Sequence, residues 1–245
     1  NLMSKIYQKK ELFEKQQSLE TANEYISVIN EESIWLKGYL DVPEIIKTVK
    51  AITEMFSQDQ LYVQSLELLL FLTEETMAID ENNEIRNIAE RLFRAYEDQN
   101  SAELYAQILE NVARNAQDLC SVINIQKGLN LMQLKYSSPI IHNCYLQSYI
   151  ECIRVTADID LVHSWVAKIE QYFEETKVVV PNEQSIHTVA HACISAYYHA
   201  VQKITAPDTL MLLLNKAILV AESYEMLDDS LMVSLAYYVT QKTQY

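Results

Sequence analysis

The chain has only two glycines, Gly38 and Gly128, in 245 residues. Glycine is the usual material of tight turns, bulges and phosphate loops, because it alone takes up positive φ without a steric penalty. Two copies so far apart exclude a G-x-S-x-G nucleophile elbow, a G-x-x-x-x-G-K-[ST] loop and a G-x-G-x-x-G turn. Helix is the element left to build with.

Other scarcities narrow the field further. The four prolines, Pro43, Pro139, Pro181 and Pro207, all fall between helical patterns and interrupt none. Four cysteines show no C-x-x-C spacing. Cys144 and Cys152, eight apart on one expected helix, would lie about 12 Å apart by helical rise, too far to bridge, so the cysteines read as buried thiols in a reducing compartment. Basic residues are outnumbered, 19 against 34 acidic, for a net charge of -15. A nucleic-acid surface needs the opposite excess, so direct nucleic-acid binding is excluded and any charged partner is expected to be basic. The acidic side chains also solvate outer helix faces. Long apolar runs are missing too: Leu68 to Leu72 and Leu210 to Leu214 fall far short of a membrane span, and no basic segment followed by an apolar one opens the chain. The expectation is a soluble intracellular protein, cytoplasmic or nuclear, with no membrane contact. The start at Asn1 rather than methionine suggests a piece of a longer protein.

Helix-start signals recur roughly every 20 residues, one helix of four to five turns plus a short connection. Asp41, Ser57, Asn100, Ser138 and the Thr205-Ala206-Pro207-Asp208 stretch carry capping side chains or first-turn prolines; Asp80, Asp158, Asn182 and Asp228 are weaker starts. Between them the apolar period is helical. Ile85, Ile88, Ala89, Leu92, Phe93 and Tyr96 form one stripe, Tyr105, Ile108, Leu109, Val112, Ala113 and Ala116 the next. Val162, Trp165, Val166, Ile169, Tyr172 and Phe173 repeat the pattern. Leu66 to Leu72 and Leu210 to Ala221 are apolar on more than one face, which predicts helices sandwiched between neighbours. The β-like run Lys177-Val178-Val179-Val180 before Pro181 reads as an extended connection.

About twelve helices in pairs of about 40 residues predict an all-α chain of stacked helical hairpins, each burying its stripe on the next. Ala196-Tyr197-Tyr198 recurs as Ala236-Tyr237-Tyr238, and Gln202-Lys203 as Gln241-Lys242. Lys216-Ala217-Ile218, Ala221-Glu222, Leu227-Asp228-Asp229, Leu231 and Leu235-Ala236 together form a junction in which a small residue admits the neighbouring helix and an acidic turn separates the two. Over residues 216 to 238 this resembles the junction between tetratricopeptide-type hairpins. That family's tryptophan, leucine-glycine and tyrosine signature is absent, and the hairpins here are longer than its 34 residues. The resemblance implies a single helical-repeat domain over residues 1–245, a right-handed α-solenoid of about six antiparallel hairpins gripping a peptide or a partner's helix. A compact helical bundle is the alternative fold.

Candidate site residues cluster toward the C-terminal end. His187 and His191 stand at i, i+4, the spacing of two ligands to one metal, with Ser195, His199 and Cys193 further along. The intervening Thr188, Val189 and Ala190 lack the glutamate of H-E-x-x-H, and a third ligand would have to come from elsewhere, such as His142 or His163. The pair is therefore a weak metal candidate, and the stripe reads more readily as structural or as a partner contact. Tyrosine, at 16 copies against five phenylalanines, suits grooves where a ring packs and its hydroxyl stays bonded. Tyr197, Tyr198, Tyr237 and Tyr238, with His191 and His199, make up the expected partner-binding surface. Trp35 and Trp165 fit a core or interface anchor. Paired carboxylates such as Glu74-Glu75 and Glu174-Glu175 point about 100° apart on a helix and share no site.

No catalytic residue and no cofactor is expected. The leading expectation is a non-catalytic scaffold for a protein or peptide partner. Two others are the peptide-sensing domain of a bacterial transcription regulator and an all-helical metal-dependent enzyme using His187 and His191.

Overall fold

The computed structural model describes residues 1–179 and 183–244. Among them are twelve α-helices and no strand. The chain divides into two compact units, Asn1–Ala116 and Gln117–Tyr245.

The first unit holds α1 (Leu2–Gln16), α2 (Leu19–Glu32), a single 3-10 turn (Ser33–Trp35), α3 (Val42–Met55), α4 (Asp59–Glu75), α5 (Ile79–Ala95) and α6 (Gln99–Asn115). The second holds α7 (Leu119–Lys135), α8 (Pro139–Val155), α9 (Ile159–Val179), α10 (Glu183–Val201), α11 (Pro207–Ser223) and α12 (Ser230–Thr243). From α4 to α9 the helices begin at residues 59, 79, 99, 119, 139 and 159, a step of 20 residues each time.

The short connections explain the scarcity of glycine. Between α4 and α9 each spans three residues, and most of the flanking residues are extended: Thr76 (φ -127°, ψ 139°), Tyr136 (φ -112°, ψ 127°) and Thr156 (φ -76°, ψ 146°) end helices, and Asp98, Asp118 and Ser138 begin them. Any L-residue adopts such a backbone, so a turn of this kind needs no left-handed residue. The last connecting residue then doubles as cap: Asp98 accepts from the Ser101 N–H at 2.7 Å, Asp118 from Ser121 at 2.9 Å and Ser138 from Ile141 at 3.3 Å.

Asp41 caps α3 as expected, accepting from the Glu44 N–H, and Asp158 caps α9 through the N–H groups of Asp160 and Leu161. Other starts are shifted. α6 is capped by Asp98, not Asn100; α12 by Asp229, not Asp228; α4 follows Gln58 and α5 follows Ala78, neither giving a side-chain cap. Ser57 lies outside α4 and accepts instead from the Tyr62 hydroxyl. α11 follows Ala206 with Pro207 in its first turn, and Asn182 lies outside the described residues. Where several polar residues stand within two positions of one another, local chemistry does not choose among them. Lys177 to Val179 are helical, contrary to the extended reading, while Val180 lies outside the described residues. Lys177 packs its ammonium 4.3 Å from the Phe173 ring centre and pairs with Glu174 at 3.1 Å; these i, i+4 and i, i+3 contacts support the helix against its β-branched residues.

In the first unit α4 packs against α2, α3, α5 and α6, so Leu61, Leu66, Leu68, Leu69 and Leu72 are all buried, as its many-sided apolarity predicts. In the second, α10 has the central place, touching α8, α9, α11 and α12. Its buried residues include Ala190, Ala192, Ala196 and Ala200, small enough for helices to approach closely on several sides. α11 was expected to be enclosed as well. It packs on α10 and α12 with Leu210, Leu213, Ala217 and Ala221, and leaves Met211, Leu212 and Leu219 exposed.

Hydrogen bonds also tie each unit together at a step of roughly one hairpin. Arg91 donates to the carbonyl and hydroxyl of Thr53 (3.1 and 2.7 Å), Asn111 to the Thr73 hydroxyl (3.0 Å) and Asn115 to the Thr76 carbonyl (3.2 Å). In the second unit Lys242 donates to the carbonyls of Val201 (2.8 Å) and Ile204 (3.0 Å). Most of these acceptors sit at or just beyond a helix C-terminus, where carbonyls lack intrahelical partners.

Candidate functional site

On α8, His142, Tyr145 and Tyr149 stand at i, i+3 and i+7, which puts them along one face. On α9, Lys168, Tyr172, Glu175 and Thr176 face them. The first cleft, about 270 Å³, lies between Ser138, His142 and Asn143 of α8, Tyr172 and Thr176 of α9, and Ser185 and Thr188 of α10. The next, about 180 Å³, lies between Tyr145, Tyr149, Lys168 and Glu175. Leu146 and Tyr172 line both, so the two clefts adjoin along the α8–α9 face and are described together as a groove.

The groove is aromatic and almost uncharged. The Tyr145 and Tyr149 hydroxyls meet at 2.8 Å, with their rings edge to face at 5.2 Å, and the His142 and Tyr172 ring centres are 6.4 Å apart. Burial pushes the Tyr149 and Tyr172 phenols up from their ordinary range and the His142 imidazole down from 6.5. At neutral pH the groove therefore offers hydroxyls and a neutral imidazole, with Lys168 and Glu175 as its only charged side chains among the described residues. Among the described residues, the buried His142 Nδ1 has no hydrogen-bond partner. Neutral donors and acceptors set among rings can hydrogen-bond uncharged polar groups such as amides.

A third cleft, about 260 Å³, lies between α9 and α11 over Tyr197. Its charges are already paired. Glu170 accepts from the Tyr197 hydroxyl at 2.8 Å and from Lys216 at 3.0 Å, and Lys177 holds Glu174.

The expected site residues are distributed around the second unit. Tyr197 is 3% exposed and lines the α9–α11 cleft; Tyr198 is half-buried. Tyr237 is exposed on α12, and Tyr238 is half-buried with the Lys242 ammonium 4.9 Å from its ring centre. His187 and His191 are exposed on α10, with His187 edge-on to Tyr224 at 5.6 Å. Among the described residues, no group of three or more histidine, cysteine or acidic side chains is placed to hold a metal ion. His199 is half-buried where the charges of Glu151 and Arg154 on α8 reach it, and burial is the main cause that lowers its pKa. At about 100° per residue, the twelve positions from His187 to His199 carry the stripe about 120° around the helix, so its two ends meet different neighbours.

Tyr145, Tyr149 and Lys168 had no part in the sequence reading of the site. Their signal was the His142-Tyr145-Tyr149 face, which reads as ordinary core until α9 is placed across from it.

No protein-family model, curated protein or solved structure matches the chain. Among the described residues, no helix is long and apolar enough to cross a membrane.

Proposed function

We propose that the protein is a non-catalytic scaffold, working without a cofactor, that holds a peptide segment of another protein in the α8–α9 groove. In this reading each unit is a stack of hairpins of the right-handed, tetratricopeptide-like α-solenoid kind. The observation that carries the proposal is the adjacency of the two clefts, which share Leu146 and Tyr172, with a lining of three tyrosines, a neutral histidine and several hydroxyls. A tyrosine ring gives large contact area with little loss of side-chain freedom, and its hydroxyl bonds a peptide group. The packing of α10 on both α8 and α12, and of α4 on both α2 and α6, supports the hairpin-stack reading.

The test is affinity capture on the immobilised protein, with the retained proteins identified and the capture repeated with Tyr145→Ala and with Lys168→Glu. A specific partner should be lost from both variants while their melting temperatures stay within a few degrees of the parent. Retention of the same partners by both variants would sink the groove reading.

A further inference from the structure

We propose a second docking surface, in the first unit, for a partner segment that carries apolar side chains flanked by basic ones. Five large apolar residues lie on the surface around two neighbouring connections: Ile34, Trp35 and Tyr39 between α2 and α3, and Met77 and Ile79 between α4 and α5. They are between 51% and 81% exposed, with Trp35 at 70%. Tryptophan is highly buried on average, and a cluster of this kind on a folded surface marks an interaction site more often than isolated apolar residues do.

The turn that presents Trp35 is fastened at several points. Leu36, the next residue, is buried, and its carbonyl accepts from the Tyr39 N–H at 3.0 Å. Gly38 takes φ 80°, a left-handed conformation that residues with a Cβ rarely adopt, and its N–H donates to the Glu75 carboxylate at 2.8 Å. That bond joins the two connections: Tyr39 adjoins Gly38, and Met77 follows Glu75 by two positions. The backbone holds Ile34, Trp35 and Tyr39 outward while Leu36 anchors the turn inward.

Charge chooses the occupant. Residues 31–41 and 74–81 together contain seven acidic side chains, Glu31, Glu32, Asp41, Glu74, Glu75, Asp80 and Glu81, and one basic, Lys37. A cationic segment with apolar anchors gains on both counts, by burying the rings and by meeting a predominantly negative rim. A second copy of the chain would bring like rims together, and an anionic membrane surface would be repelled in the same way. The surface lies in the first unit and draws on none of the α8–α9 groove residues, so its failure would leave that reading untouched.

The experiment uses the whole chain with Trp165→Phe, which leaves Trp35 as its one tryptophan. The probe is a synthetic amphipathic peptide of about 14 residues with leucine on one face and lysine on the other. A saturable blue shift of Trp35 emission is expected, weakening with added salt. Ile34→Ser should reduce the affinity on the order of tenfold with an unchanged melting curve, and Glu74→Gln with Asp80→Asn should weaken binding and flatten its salt dependence. Three results would overturn the proposal: no shift, an equal shift with glutamate in place of the peptide's lysines, or a shift produced by phosphatidylserine vesicles or by raising the protein's own concentration and not by the peptide.

Discussion

Lys242, on the last helix, donates to the carbonyls of Val201 and Ile204 at 2.8 and 3.0 Å, so the end of α10 is closed by a side chain from α12. Arg91 does the same for Thr53 at the end of α3. Each contact satisfies acceptors that a helix terminus leaves open, and each joins elements about one hairpin apart.

Arg91→Ala should therefore destabilise the first unit by about 1 to 3 kcal/mol, because it leaves the acceptors of buried Thr53 without their charged donor. Urea unfolding monitored by circular dichroism measures this. A change below about 0.5 kcal/mol, the range of an ordinary surface substitution, would refute the role.

Tyr197 and Tyr237 belong to the same expected surface and should behave oppositely. Tyr197→Phe removes a buried hydroxyl bonded to the Glu170 carboxylate and should destabilise by about 1.5 to 3 kcal/mol. Tyr237→Ala, on an exposed face, should stay within about 0.5 kcal/mol. Thermal melts of the two variants side by side decide it.

Stability should fall as the pH drops from 7.5 to 5. His142 and His199 are both held below the ordinary 6.5, chiefly by burial, so over this window the unfolded chain takes up protons that the folded one resists. Toward pH 7.5 and above both histidines become neutral in either state, and their contribution to the pH dependence levels off. The lowered carboxyls of Glu44, Asp98 and Asp118 act at more acid pH, because their ordinary values are 4.5, 3.8 and 3.8. His142→Gln should flatten the pH dependence measured by urea unfolding at several pH values. A profile as steep as the parent's would show that His142 is not responsible.

Thiol reactivity should divide one against three. Cys120 is exposed, whereas Cys144, Cys152 and Cys193 are buried, and burial pushes the Cys152 and Cys193 thiols up to about 12. An aromatic disulfide reagent at pH 8 should titrate one thiol rapidly in the native protein and four in denaturant. Rapid reaction of a second native thiol would contradict this burial.

Much of the helical layout was legible in the residues. Asp41, Ser138 and Asp158 could be read as caps, and the stripes Ile85 to Phe93 and Tyr105 to Ala113 as buried faces, because a helix is a local object whose bonds and side-chain neighbours lie three or four positions apart. The groove was not legible in the same way. His142 was visible only as a remote metal candidate, and Tyr172 only as one member of a packing stripe. Their meeting depends on how α8 and α9 cross.

The sequence by itself determined that the chain is helical, where most of its helices fall, and that its surface is acidic, since two glycines, regular capping residues and a 3.6-residue apolar period leave local geometry little choice. Only the tertiary structure decided that α10 packs against four helices while α11 keeps an apolar face exposed, that Tyr197 is turned inward onto Glu170, and that Trp35 and Met77 stand out on connections joined by the Gly38–Glu75 bond. Those outcomes rest on contacts between residues far apart in the chain, and no local periodicity encodes which two faces will meet.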